Sequence, residues 1–258
     1  MMCTSDRRRA AAVVVVAMLV GCEFNAMPTG DSQIAPQSIG ANSGDVKVLK
    51  GGQDKVIGIE IRGDDTENTS PTRWLNESSL RTIRLIRIVV DDASLTQMAK
   101  LPSLEQVTFE HCTLRGNLAT LSKNTRLQKI VFMVVNVDME DVSEEWFSSE
   151  SPLTDVYLPH VSNVSSRMGV IARLPSLEVL SVAYSDITDA DVQRLRNLDR
   201  LRSLNVTKTR LTDDSLKHLE QMSTLRTLFI DLNSDLTDAA IARLRNANPE
   251  LDIYADGR

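Results

Sequence analysis

The chain has 258 residues and a formal net charge of -6, with 25% charged and 42% hydrophobic residues, ordinary values for a globular protein of one large domain or two small ones. Aromatic residues are only 4% of the total, so a core must be aliphatic, which suits a fold built from many similar small units. A net acidic chain with no Lys/Arg run after Arg9 is unsuited to nucleic acid, where basic patches supply most of the affinity.

The chain opens on a positive cluster, Arg7-Arg8-Arg9, followed by an uninterrupted small and apolar run of eleven residues from Ala10 to Val20. A membrane-spanning helix needs about 20 apolar residues, so residues 1–21 read as an export signal rather than a span. The run ends in Leu19-Val20-Gly21-Cys22, which resembles the lipobox of bacterial lipoproteins. The resemblance implies that the Cys22 thiol is acylated and the chain cut before it. The protein would then be lipid-anchored in the cell envelope, on the extracytoplasmic side of an inner or outer membrane. An ordinary signal peptide cut elsewhere would leave Cys22 a free thiol. One acyl chain holds a protein only weakly, but the modification implied by the resemblance supplies several.

Residues 22–53 are rich in Gly, Ser, Pro, Asn, Asp and Gln, as in Met27-Pro28-Thr29-Gly30 and Gly40-Ala41-Asn42-Ser43-Gly44. That composition predicts a flexible tether, with the folded domain at 54–258. Of the three cysteines, Cys3 falls in the leader and Cys22 at the lipidation point. Cys112 is left without a partner, and a core of this size needs no disulfide.

From Val56 onward the chain is periodic. Units start at Val56, Leu80, Leu104, Leu127, Leu153, Leu177, Leu201, Leu225 and Leu251, mostly 24 residues apart, with one spacing of 23 and two of 26. Within a unit, positions 1, 4, 6, about 9 and 11 are apolar or small. Leu201, Leu204, Val206, Thr209 and Leu211 show this, as do Leu177, Leu180, Val182, Ser185 and Ile187, and Leu104, Val107, Phe109, Cys112 and Leu114. Positions 4 and 6 alternate as a short strand does. Thr188-Asp189, Thr212-Asp213 and Thr237-Asp238 then read as helix starts, with a capping hydroxyl and an acid at the positive end. Val192, Leu195 and Leu198 recur at helical spacing, as do Leu216, Leu219 and Met222. Each unit is predicted to be strand, turn and short helix. The stretch from Leu127 to Pro152 departs from the pattern, although Met139 to Phe147 offers a helical apolar stripe. The unit from Leu153 carries Val161 and Val164 near positions 9 and 11, so its turn is irregular.

These residues resemble the leucine-rich-repeat family, in particular its cysteine-containing-like bacterial type, over about 200 residues. The resemblance implies an α/β fold: a right-handed solenoid (horseshoe) with a parallel concave sheet and convex helices. No single unit can bury its strand face alone, so units must stack. A polar first strand at Lys55 to Arg62 and a short last one at Leu251-Asp252-Ile253-Tyr254 are expected at the two ends. Cys112 falls at position 9, where the family places Asn, Cys or Thr facing the backbone of neighbouring turns, so a buried and inert thiol is implied.

Candidate binding residues follow from the columns between the core positions. Position 5 runs Glu60, Arg84, Thr108, Val131, Tyr157, Ser181, Asn205, Phe229, and position 7 runs Arg62, Ile86, Glu110, Met133, Pro159, Ala183, Thr207, Asp231. Position 8 runs Gly63, Arg87, His111, Val134, His160, Tyr184, Lys208, Leu232. In the middle, Val131, Met133, Val134, Tyr157, Pro159, His160 and Tyr184 would form an exposed apolar and aromatic patch of the kind that marks interaction sites. A protein or peptide ligand is the expected partner, unless the irregular unit or the tether covers these residues. The alternative is an envelope-structural or adhesion role in contact with wall or surface material.

Catalysis is not expected, and neither a cofactor nor a metal is called for. His111 and His160 share a column but lie two units apart, with Val134 between them. The acidic pairs Asp64-Asp65, Asp91-Asp92 and Asp213-Asp214 sit at turns and helix starts. There is no phosphate loop, no G-x-S-x-G and no C-x-x-C.

Overall fold

The structure is a computed structural model describing residues 37–40, 45–63, 71–137 and 146–255. The export signal, Cys22 and most of the Met139–Phe147 stripe lie outside the described residues.

The repeating unit appears as one strand per lap. β1 (Gln37–Gly40), β2 (Asp45–Lys50) and β3 (Val56–Arg62) are followed by β4 (Thr82–Ile86), with the short β5 (Val89–Val90) after its turn. Next come β6 (Gln106–Glu110), β7 (Thr113–Leu114), β8 (Lys129–Met133) and β9 (Asn136–Val137). β10 (Asp155–Tyr157), β11 (Val179–Ser181), β12 (Ser203–Asn205), β13 (Thr227–Phe229) and β14 (Asp252–Tyr254) complete the set. Among the described residues one sheet has eleven strands in the order β1-β2-β3-β4-β6-β8-β10-β11-β12-β13-β14, and a second has three, β5-β7-β9. From β3 onward every pairing is parallel. The segments starting at Leu104, Leu127, Leu153 and Leu177 thus lie side by side as co-directional neighbours.

The register puts Ile59, Ile83, Val107, Ile130, Val156, Leu180, Leu204, Leu228 and Ile253 in one row. The first eight are the position-4 residues, and they are buried with the position-6 row from Ile61 to Ile230 in one continuous core. Each such side chain contributes on the order of 1.5–3 kcal/mol by leaving water, but only because the next lap covers it. The last lap departs from the expected spacing. Ile253, not Tyr254, pairs with Leu228, so the final unit is in register one residue earlier than Leu251 as its start would place it. Backbone hydrogen bonding to the preceding strand sets register more strongly than one apolar side chain at the end.

Four of the five helices among the described residues start at a capping side chain. Asp91 caps α1 (Asp92–Ala99), its carboxylate accepting from the Ser94 N–H at 2.8 Å. Thr188, Thr212 and Thr237 precede α3 (Asp189–Leu195), α4 (Asp213–Leu219) and α5 (Asp238–Ala247) as expected, after the short α2 (Met168–Ile171). The laps from Val56 and Leu104 have 3-10 turns instead, at Pro71–Trp74 and Leu118–Lys123, and in the lap from Leu153 the 3-10 turn Ser165–Arg167 leads into α2. The caps also join laps, which sequence spacing did not reveal. Asp189 accepts from the N–H and hydroxyl of Thr212 at 2.9 and 2.7 Å, and Asp213 accepts from those of Thr237 at 2.8 and 2.7 Å. Asp92 accepts from the Asn117 N–H at 2.7 Å in the same way.

Two expectations are corrected here. The tether assigned to 22–53 does not extend through 53, because 37–40 and 45–50 form an antiparallel hairpin whose second strand pairs antiparallel with β3. Val46 and Val48 of β2 are buried. The first parallel strand is therefore not a polar end strand. Ile59 and Ile61 need a cover, and the alternating Val46 and Val48 supply an apolar face at the right spacing. Of the apolar stripe from Met139 to Phe147, only the last two residues are described. Its described end, Trp146-Phe147, lies in a bend rather than a helix and is inserted into the core. There Phe109, Phe132 and Trp146 stack at centroid separations of 5.2 and 5.7 Å, and the Arg167 guanidinium lies 4.5 Å from the Trp146 ring centre. Aromatic side chains fill the interior where the repeat pattern breaks.

Candidate docking surface

The three outward columns differ sharply in exposure. In the position-5 row Thr108, Val131, Ser181, Asn205 and Phe229 are all buried. Short side chains between parallel strands about 4.8 Å apart have neighbours on both sides and little free surface. Val131, expected in the exposed patch, is only 1% exposed. It lies in register between Thr108 and Tyr157, and it is corrected from surface to interior. Tyr157 is half-buried, with the Lys129 ammonium 4.9 Å from its ring centre. Met133 and Pro159 are likewise half-buried, flanking the ridge formed by position 8.

Position 8 behaves differently because of its backbone. Arg87, His111, Val134, His160, Tyr184, Lys208 and Leu232 all have φ between 50° and 58°. The left-handed conformation keeps the inter-lap ladder while swinging position 9 into the interior. The N–H groups of His111, His160, Tyr184 and Lys208 donate to the carbonyls of Met133, Ala183, Thr207 and Asp231 in the following lap, at 2.8–3.1 Å. Position 9 then faces inward. Asn233 donates to the carbonyls of Val206 and Ile230 at 2.8 and 3.0 Å. The Cys112 thiol, fully buried, donates to that of Leu85 at 3.2 Å. Burial pushes this thiol up to about 11, which removes its nucleophilic form near neutral pH.

Left-handed backbone is served best by Gly or Asn and costs any other residue on the order of 1 kcal/mol or more. The cost is greatest for a β-branched side chain such as Val134. None of the seven left-handed ridge positions carries Gly or Asn. The two large apolar side chains exposed among the described residues, Val134 and Leu232 at 47% each, both belong to it. His160 stacks on Tyr184 with ring centres 4.3 Å apart and planes at 21°. The Lys208 ammonium lies 5.4 Å from the Tyr184 ring centre. The lap from Leu153 keeps 24 residues, but its turn is one residue longer, with Val164 rather than residue 163 in the core and Asn163 itself left-handed at φ 57°. The widened turn leaves an open groove beside the stack, lined by His160, Asn163, Tyr184, Asp186 and Arg210.

Of the sequence-predicted patch, Val134, His160 and Tyr184 come together on this ridge, Met133, Pro159 and Tyr157 flank it, and Val131 does not reach the surface. Lys208, Leu232 and Arg210 were missed. The first two stand in the same column as Tyr184, and the signal was there: side chains chosen at a position whose turn asks for Gly.

At the N-terminal end of the sheet Glu60 lies among Lys47, Arg62 and Arg84 at 3.4, 3.8 and 3.4 Å, and Arg84 Nε donates to Glu110 at 3.1 Å. At the other end Phe229 and Tyr254 stack at 4.7 Å. Burial, then the Asp252 carboxylate, raises the Tyr254 hydroxyl above its ordinary value. Among the described residues no group of three or more His, Cys, Asp or Glu is placed to hold a metal ion, and no helix is long and apolar enough to cross a membrane.

No protein-family model matches the chain, and no curated protein matches it in sequence. Solved structures do. An internalin from Listeria monocytogenes superposes with a TM-score of 0.50 at 19% identity, covering 76% of this chain and 59% of its own. Human trophoblast glycoprotein, a Wnt-activated inhibitory factor, superposes with a TM-score of 0.62 at 17% identity, covering 78% of this chain and 76% of its own. The chain thus spans about three fifths of the internalin's length.

Proposed function

We propose that this chain, whose fold is the leucine-rich-repeat solenoid, is a membrane-anchored, extracytoplasmic protein-binding scaffold that catalyses nothing. A protein or peptide ligand docks on Val134, His160 and Tyr184, with Met133, Tyr157 and Pro159 beside them. The observation that carries this reading is the exposed ridge. Large apolar and aromatic side chains stand in a row on left-handed backbone, where the fold alone asks for small residues. A contact surface needs such a row. The solenoid presents it rigidly, because His160, Tyr184 and Lys208 are each tied by their N–H to the next lap.

The anchor is lipid on Cys22, supported by the Arg7-Arg8-Arg9 cluster, the apolar run and Leu19-Val20-Gly21-Cys22. Because the first strand among the described residues starts at Gln37, no more than residues 23–36, fourteen residues, separate the anchor from the sheet. That stretch reaches at most about 50 Å, half of what a tether through 53 would allow. The domain would work close to its membrane.

The test is retention of a partner from solubilised cell envelope on the full chain, compared with a Tyr157→Ala/Tyr184→Ala variant of equal thermal stability. A discrete stoichiometric partner lost in the variant is the expected result. Equal retention by both removes the docking reading, and co-sedimentation with wall material in its place favours the adhesion role. For the anchor, palmitate labelling and membrane fractionation in a bacterial host should show label on the parent and none on Cys22→Ser. A labelled Cys22→Ser would refute it.

A further inference from the structure

We infer that the ridge is read by one kind of partner, an extended peptide segment whose carboxylates face Lys208 and Arg210 and whose aliphatic or aromatic side chain seats near Val134 and the His160–Tyr184 stack. This rests on the reading of the ridge as a docking surface and names what docks there.

Charge selects the ligand. The chain as a whole is net acidic, yet its left-handed column holds cations, two histidines and apolar side chains and not one carboxylate. Three carboxylates along this face already have partners of their own, Asp231 beside Lys208 among them. Glu110 holds Arg84 within the sheet, and Asp186 accepts from the Ser165 N–H at 3.1 Å. Lys208 and Arg210 are exposed, and Lys208 contacts the Tyr184 face rather than a carboxylate. A docked carboxylate would add a charge pair without breaking one.

Shape selects an extended chain. The ridge residues repeat once per lap, about 4.8 Å apart, so Val134 and Lys208, three laps apart, are separated by about 14 Å. An extended peptide covers that in four to five residues at about 3.3 Å each. Val134 and Leu232 stand on either side of the stack and the cation. Their exposed methyl groups call for apolar contact, which a neutral sugar supplies poorly.

The left-handed backbone gives a test that separates binding from folding. Asn tolerates this conformation, so Val134→Asn should leave the melting temperature unchanged or raise it by about 2 °C, and yet weaken binding at least fivefold. A Val134 kept for the fold would give the opposite pattern.

The experiment probes the full-length chain with an array of randomised nonapeptides. The expected result is enrichment of peptides combining Asp or Glu with an aliphatic or aromatic residue, with reversal toward basic peptides in Lys208→Glu/Arg210→Glu. Enrichment unaffected by that reversal, or binding of neutral oligosaccharides at the stack in its place, overturns the inference. A silent array, with an envelope partner still retained by the parent and lost in the Tyr157→Ala/Tyr184→Ala variant, overturns the peptide chemistry alone and leaves the docking surface standing. Equal retention by both removes the docking surface as well.

Discussion

Replacing Asp213 by Asn should loosen the joint between the last two helical laps by a predictable amount. In the parent, Asp213 sits in the first turn of α4 and accepts from both the N–H and the hydroxyl of Thr237, the cap of α5. Hydrogen bonds to a charged acceptor are worth about 1.5–3 kcal/mol when shielded, and an acid in a first helical turn adds about 0.3–1 kcal/mol. The carboxylate here is open to water, so most of that is screened. Asn keeps one acceptor oxygen for the Thr237 N–H. The expected net loss is about 1 kcal/mol, or about 2–4 °C in melting temperature for a domain of this size. The two hydrogen bonds from Thr237, backbone first, hold the Asp213 carboxyl below its usual value. A depressed carboxylate stabilises the fold fully above its unfolded value near pH 4, and the contribution is lost as pH falls through the lower folded value. Urea titrations of parent and Asp213→Asn from pH 7 down to pH 2 should therefore show a gap that closes below pH 4. A gap that is absent at pH 7, or constant throughout, would refute the reasoning. Asp214 is also depressed, by its exposed partner Lys217, but it joins no second lap, and Asp214→Asn should behave like the parent at pH 7.

Phe132→Ala removes the middle ring of the Phe109–Phe132–Trp146 stack, all three fully buried, and should cost about 3–5 kcal/mol by urea denaturation, with near-ultraviolet circular dichroism reporting loss of the stack. Gly116→Ala would place a methyl 2.7 Å from the backbone of Asp91 and Asp92. It should destabilise by about 1–3 kcal/mol, while Gly52→Ala, which meets nothing, should not. Cys112 should resist iodoacetamide at pH 8 in the native protein and react quickly in urea. Fast native labelling would mean that the thiol is neither buried nor raised.

The repeat units were legible because each lap imposes the same local demand. Leu180, Val182 and Ile187 stand in their lap as Leu204, Val206 and Leu211 do in the next, and a period of 24 makes that visible without coordinates. Thr188, Thr212 and Thr237 were legible as caps for the same reason, since a helix start is decided by residues within a turn of it. What the sequence by itself determined is thus the interior: which side chains return to one face, and where the last three helices begin. Only the tertiary structure decided the surface and the ends. Val131 is buried by strands 23 and 26 residues away, Val46 and Val48 fold back onto β3, Asp213 reaches Thr237 across a lap, and Ile253 takes the place expected for Tyr254. Those outcomes depend on what the neighbouring lap presents, and periodicity along one chain carries no information about how much room a neighbour leaves.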